Sequence, residues 1–251
     1  INGDIFQMSS HSVSNIVQRG GTILKSARSK EFMTPEGRAK AHEQLLKFGI
    51  EGLIAIGGNG TFTGATLFFA VNTALEAIDK IRDTADSHDR IFFIEVMGRD
   101  SGYIAIQSGI AGGAELVMVP EVLTPLSEVV ETLKAGWSRQ KSSSIIIVAE
   151  GEEEGNASQI AEKIRAQVQP DIDMRVTTLG HIQRGGIPTA YDRILASRLG
   201  LGALEGLMNG EKNVMAGVVN NELVYTPFKD TIRLPKPINE DLLRMVKILS
   251  V

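Results

Sequence analysis

Ile91-Phe92-Phe93-Ile94-Glu95-Val96-Met97-Gly98-Arg99-Asp100-Ser101-Gly102 is the stretch on which the fold turns. Its first half is β-branched and aromatic with almost no polar break, as in a strand covered on both faces. The run stops at Met97-Gly98 and opens onto a helical pattern. A strand that passes through a Gly turn into a helix is the repeating unit of α/β folds with a parallel sheet. Short apolar runs recur at Gly52–Ile56, Leu116–Val119, Ser144–Ala149, Arg175–Leu179 and Val214–Val219, with longer amphipathic stretches between them.

Helix signals fall in the intervals. Thr34-Pro35-Glu36 supplies an N-cap, a Pro in the first turn and an early acid, and predicts a helix to Phe48 that stops at Gly49. Thr124-Pro125 predicts a second, ending near Gly136–Arg139. Asn156 caps a third through Gln169 before Pro170, and Pro188 begins a long one reaching Asn209-Gly210. The expected fold class is therefore α/β with a mainly parallel sheet. One junction departs from the rhythm. Gly52–Ile56 turns through Gly57–Gly60 into a helix from about Thr61, and a parallel strand should follow. Instead Leu67-Phe68-Phe69 runs directly into a second helical pattern, Ala70–Asp83.

Composition narrows the function. The 251 residues include 26 Lys and Arg against 30 Asp and Glu, a net charge of −4, which argues against a general nucleic-acid surface. With no Cys there is no disulfide framework, thiol nucleophile or zinc-thiolate site. No apolar run approaches a membrane span, and the chain opens on Ile1 without a signal-peptide pattern. Gly is in excess at 26 residues, with pairs at Gly20-Gly21, Gly57-Gly58, Gly112-Gly113 and Gly185-Gly186.

Several segments carry chemistry. In Ile54-Ala55-Ile56-Gly57-Gly58-Asn59-Gly60-Thr61, with Gly64 one turn later, a strand delivers a Gly-rich turn to a helix start. Amides without neighbouring Cβ atoms, backed by the helix dipole, suit a phosphate; a tight turn without ligand is the bland alternative. Glu95–Gly102 places Arg99 at the strand's C-terminal edge, where such sheets bind ligands; otherwise it is a surface Arg paired with Asp100. Arg175, followed by Leu179-Gly180-His181-Ile182-Gln183-Arg184-Gly185-Gly186, sets Arg175, His181 and Arg184 around one expected strand end. Guanidinium forks match phosphate, and imidazole adds a donor. Arg28 follows Gly20-Gly21 and a short apolar run. In Glu150-Gly151-Glu152-Glu153-Glu154, Glu150 at the strand end can accept from substrate hydroxyls, while the later glutamates read as a solvated loop.

In this order, Gly57-Gly58-Asn59-Gly60-Thr61, Met97-Gly98-Arg99 and Gly180–Gly186 resemble the phosphofructokinase family, and Ala77–Ser87, Ala111–Val119 and Tyr191–Arg198 resemble its ATP-dependent bacterial type. The resemblance implies transfer of the γ-phosphate of ATP to the 1-hydroxyl of fructose 6-phosphate with Mg2+, in a cytoplasmic homotetramer under allosteric control. It implies two Rossmann-like three-layer domains with mainly parallel sheets: residues 1–69 plus 183–233 for ATP, and 70–182 plus 234–251 for fructose 6-phosphate. By motif position, Gly58, Asn59, Gly60, Thr61 and Gly64 lie along the ATP phosphates, and Arg28 neutralises the transferred group. Gly60 favours ATP, because pyrophosphate-using relatives tend to carry an acid there. Met97, Gly98, Arg99 and Glu150 match sugar contacts, with Arg99 also at the reacting centre. His181 and Arg184 match 6-phosphate contacts, and Arg90 and Arg175 match arginines that reach that phosphate from a neighbouring subunit. Arg82, Gly113, Glu115, Arg139 and Lys141 match parts of a nucleotide effector site, in which Ser10 replaces a frequent arginine.

Three departures stand out. Asn59 occupies the place of a magnesium-holding Asp and weakens the expected metal site. The first phosphate loop of the family has no counterpart here, and neither has the segment with the catalytic-base Asp, which belongs near Leu67–Ala70. Of two accounts, the expected one is that these segments belong to the protein but not to these 251 residues, since losing a central strand while keeping every substrate arginine is hard to fold. The other is a catalytically silent sugar-phosphate-binding relative. A pyrophosphate-dependent enzyme and a lipid or nicotinamide-nucleotide kinase are further alternatives.

Overall fold

The structure is a computed structural model and describes residues 2–21, 23–24, 29–56, 65–85, 90–139, 143–168, 172–231 and 238–249. In chain order the elements are α1 (Pro35–Lys47), α2 (Ala65–Ala85), β1 (Arg90–Val96), α3 (Tyr103–Ala111), β2 (Leu116–Met118), α4 (Leu126–Ser138), β3 (Ser143–Ala149), α5 (Ala157–Arg165), β4 (Asp173–Thr178), α6 (Ala190–Met208), β5 (Val214–Val219), β6 (Glu222–Pro227), α7 (Phe228–Thr231) and α8 (Glu240–Leu249). The chain divides into two compact units. One takes Ile1–Ala65 and Ile187–Leu234, the other Thr66–Gly186 and Pro235–Val251.

The second unit holds a four-stranded sheet in the order β2-β3-β1-β4, with every pairing parallel. Period-two alternation splits its side chains between two cores. Phe92, Ile94, Val96, Ile145 and Ile147 pack with Ala74 and Ile78 of α2, Ile104 and Ile106 of α3 and Val246 of α8. Ile91, Phe93, Ile146 and Val148 pack with Val129 and Leu133 of α4 and Ile160 and Ile164 of α5. Helix, sheet and helix thus form three layers. Full burial of each such side chain stabilises by roughly 1.5–3 kcal/mol, and Phe93, Ile94, Ile146 and Ile147 are all 0% exposed.

The capping residues behave as their chemistry dictates. Thr34 accepts the Gly37 amide at 3.0 Å ahead of Pro35 at the start of α1. Asn156 and Gln159 form a reciprocal capping box on α5. That helix ends at Arg165, earlier than expected. The cap of the long α6 is Thr189 rather than Pro188, boxed with Asp192.

The first unit differs from the expectation of a parallel sheet. Gly52–Ile56 forms no strand, and Leu53 and Ile56 are 71% and 80% exposed. Val214–Val219 is a strand but pairs antiparallel with β6. A lone apolar run cannot be a strand without a neighbour to take its amides, and the described residues offer Gly52–Ile56 none. α6 lies close on the hairpin because Gly202 and Gly206 lack side chains; a Cβ there would collide with Leu223 and Tyr225. Where two successive helices were expected at the unusual junction, Ala65–Ala85 forms one helix, α2.

Candidate functional site

Parallel strands present all their C-terminal ends to one edge, and the turns that follow β1, β3 and β4 meet there. Past the ladder, the Glu150 amide donates to the Val96 carbonyl at 2.8 Å, and the Leu179 amide to the Glu95 carbonyl at 3.0 Å. These bonds seat Met97-Gly98-Arg99, Glu150-Gly151 and the 3-10 turn Gly180–Arg184 side by side.

The Glu150 carboxylate accepts the amides of Gly98 and Arg99 at 3.3 and 3.4 Å. Arg99 takes a left-handed conformation, φ 54°, uncommon for a residue with a side chain. Gly98 has no room for a Cβ beside the Ser101 carbonyl, and Gly151 (φ +91°) none beside the Arg99 carbonyl. The Met97–Arg99 turn and the Glu150–Gly151 turn are therefore pressed backbone to backbone. In the 3-10 turn, residues three apart share an edge, so His181 and Arg184 project together. Both are exposed. With Glu95, Met97, Glu150 and Thr178 they line a cleft of about 150 Å3. Two nitrogen donors on one side and a carboxylate on the other suit a ligand with an anionic end and a hydroxyl end.

Arg175 does not join them. It is the third residue of β4, roughly 10 Å along the strand from Thr178 at 3.3 Å per residue. Arg90 opens β1 at the same far edge. Both arginines bind Asp173, each at 3.0 Å. Burial alone would raise the Asp173 carboxyl, but the hydrogen bonds and charges of Arg175 and Arg90 outweigh it and hold the group below its usual range. Residue spacing suggested one strand end for Arg175, His181 and Arg184; strand polarity puts Arg175 at the other.

Among the expected effector residues, Arg82 in the last turn of α2 donates to the carbonyls of Gly112 and Gly113, the latter at 2.8 Å. Gly113 turns at φ +63°. Glu115 is buried, and its carboxylate accepts the Ile145 amide. Arg139 follows α4 as its C-cap. Ser10 opens a short 3-10 turn in the first unit. Arg28, Gly58, Asn59, Gly60, Thr61, Gly64 and Lys141 lie outside the described residues.

Four side chains gain roles that the sequence reading did not assign. Gln183, fully buried, accepts the Met97 amide at 2.8 Å. Both oxygens of Glu121 accept the Gly102 amide at 2.9 Å, at the start of α3. Glu95 accepts the Ala157 amide at 2.9 Å at the start of α5. Glu152, expected in a solvated loop, is 6% exposed, with both carboxylate oxygens buried. Burial, then the charges of Glu153 and Glu154, push its carboxyl up to about 7, against an offset from those residues' amides.

The sequence model of the family described as Phosphofructokinase matches residues 1–70 and 69–207. A Cytophaga hutchinsonii protein named ATP-dependent 6-phosphofructokinase is 56% identical over 279 residues, covering all of this chain and 85% of that protein. A Thermus thermophilus protein named ATP-dependent 6-phosphofructokinase 1 is 50% identical over 280 residues, covering all of this chain and 86% of that one. The structure of phosphofructokinase from Saccharomyces cerevisiae superposes with a TM-score of 0.82 at 27% identity, over 97% of this chain and 41% of that one. The chain thus spans less than half of the yeast subunit. The Cytophaga match runs over 279 positions against 251 residues here, so at least 28 of them (279 less 251) face no residue of this chain. The family match breaks at residues 69–70, inside α2.

Proposed function

The chain belongs to the phosphofructokinase family, and from that premise we propose that it binds fructose 6-phosphate in the cleft of its second unit and transfers to the 1-hydroxyl the γ-phosphoryl group of ATP. The observation that carries this reading is the convergence of His181 and Arg184 with the turn held by Glu150 at one sheet edge. His181 and Arg184 take the 6-phosphate, and the Met97–Arg99 turn with Glu150 takes the sugar hydroxyls. Preorganised donors aimed at charge supply most of what phosphoryl transfer asks of a protein.

ATP is preferred to pyrophosphate as donor because the relatives reported above are named ATP-dependent and residue 60 is Gly. The nucleotide belongs to the first unit, along Gly58–Thr61, Gly64 and Arg28. Mg2+ accompanies its phosphates. Asn59 is the protein's own ligand to it, with an affinity weakened by the amide in place of a carboxylate. Arg90 and Arg175 face a neighbouring protomer's phosphate, in a cytoplasmic homotetramer. Arg82, Gly113, Glu115, Arg139 and Lys141 form an effector site. Among the described residues no helix is long and apolar enough to cross a membrane.

A second reading has an observation of its own. The family match breaks at residues 69–70, and the catalytic-base segment belongs there by resemblance. On this reading the chain binds the sugar phosphate without transferring to it. One experiment separates the two. Calorimetric binding of fructose 6-phosphate is measured alongside ADP formation with ATP, and phosphate release with pyrophosphate. Binding with sugar-dependent ADP formation supports the kinase. Binding with no turnover from either donor supports the silent relative. No binding of fructose 6-phosphate overturns both.

A further inference from the structure

Gln183 stands between His181 and Arg184 yet points the opposite way, with 0% exposure. A buried carboxamide is costly unless both of its ends are paired. Here both are. Oε1 accepts the Met97 amide at 2.8 Å, and Nε2 donates to the Ala70 carbonyl at 3.5 Å. The orientation is chemically determined, because an amide N–H can only donate and a carbonyl can only accept. Met97 needs such a partner. The β1–β3 register ends at Val96 opposite Ala149, so its N–H lies beyond the ladder. One side chain thus joins the turn that carries the nitrogen donors, the turn that faces the sugar and the early part of α2.

We propose that Gln183 is a positioning residue that fixes the distance between the anion-binding turn Gly180–Arg184 and the sugar-facing turn Met97–Arg99, so that the phosphate and hydroxyl ends of one ligand are recognised together. The proposal rests on the cleft being a sugar-phosphate site. A ligand gripped at two points gains from both only when their spacing matches its own. Without Gln183 each turn keeps its own donors, but the second contact no longer assists the first. Gln183 therefore governs the affinity for the joined molecule and leaves that for the isolated anion alone.

The test compares the whole chain with Gln183→Met and Gln183→Glu, using calorimetry with fructose 6-phosphate and, separately, with inorganic phosphate. Gln183→Met should weaken fructose 6-phosphate by about tenfold or more and leave inorganic phosphate within about twofold. Gln183→Glu should behave as wild type at acidic pH, where the buried carboxyl is protonated and can both accept from Met97 and donate to Ala70. It should lose sugar-phosphate affinity as pH rises and the donor disappears. This pH-dependent rescue tests the proposal on its own if Gln183→Met fails to fold. Parallel loss of both ligands, or wild-type affinity in Gln183→Met, or a Gln183→Glu variant without pH dependence overturns it. Failure of the wild type to bind fructose 6-phosphate overturns the reading of the cleft itself.

Discussion

Replacing Glu152 by Gln should stabilise the second unit in neutral and alkaline solution and do almost nothing in acid. The residue is 6% exposed and both carboxylate oxygens are buried. Its pKa stands at about 7 in the fold, against 4.5 for an ordinary Glu, chiefly through burial. Between those values the folded chain binds more protons than the unfolded one, so stability falls as pH rises through the window. Below about pH 4.5 both states are protonated and nothing is lost. Above about pH 7 the folded state carries a buried charge, and at 1.36 kcal/mol per unit the loss approaches ~3 kcal/mol. Gln keeps the shape and removes the charge. At about pH 8 the variant should exceed wild type by up to ~3 kcal/mol, shrinking to within about 0.5 kcal/mol near pH 4.5. Taking the difference between the two proteins cancels every other titrating group. Urea unfolding followed by tryptophan emission reads this unit directly, because the single Trp, Trp137, packs against the core that contains Phe93. Equal pH slopes for the two proteins, or a less stable variant at about pH 8, would refute the reasoning.

Three further substitutions probe the site and its support. Arg184→Ala should weaken fructose 6-phosphate by about tenfold or more with little change in melting temperature, because the side chain is exposed; unchanged affinity would remove Arg184 from the site. Gly151→Ala adds a Cβ against the Arg99 carbonyl at a positive φ, and should cost about 1–3 kcal/mol in urea unfolding while weakening the sugar phosphate more than inorganic phosphate. Phe93→Ala opens a fully buried core position and should cost about 3–5 kcal/mol, with sugar-phosphate affinity retained below the melting transition.

Much of the second unit was legible because its signals are local. The runs at Ile91–Val96, Leu116–Val119 and Ser144–Ala149 are apolar enough to be strands in any α/β context, and each became one. Thr34 and Asn156 announced helices through their capping chemistry. Gly52–Ile56 misled because its apolar residues indicate a strand only where another strand can pair with it. His181 and Arg184 were readable from their residue types and spacing. Arg175 was assigned to the same end because spacing does not report strand polarity. Glu152 looked solvated beside Glu153 and Glu154, yet the fold buries it, which no local signal announces. Gln183 lay in plain view within the motif, yet nothing in the local sequence says that its partners are Met97 and Ala70.

The junction inside α2 also marks where the second unit begins as a folding module. All four strands of the second unit arise between Arg90 and Thr178. The described members of its two cores begin at Ala70 and, apart from the α8 contribution, end at Leu179. A break in family correspondence at 69–70 therefore falls at the margin of the described module. The sheet, its two cores and the cleft at its C-terminal edge thus all lie on one side of that break, so they fold as one module whatever the family carries at the junction.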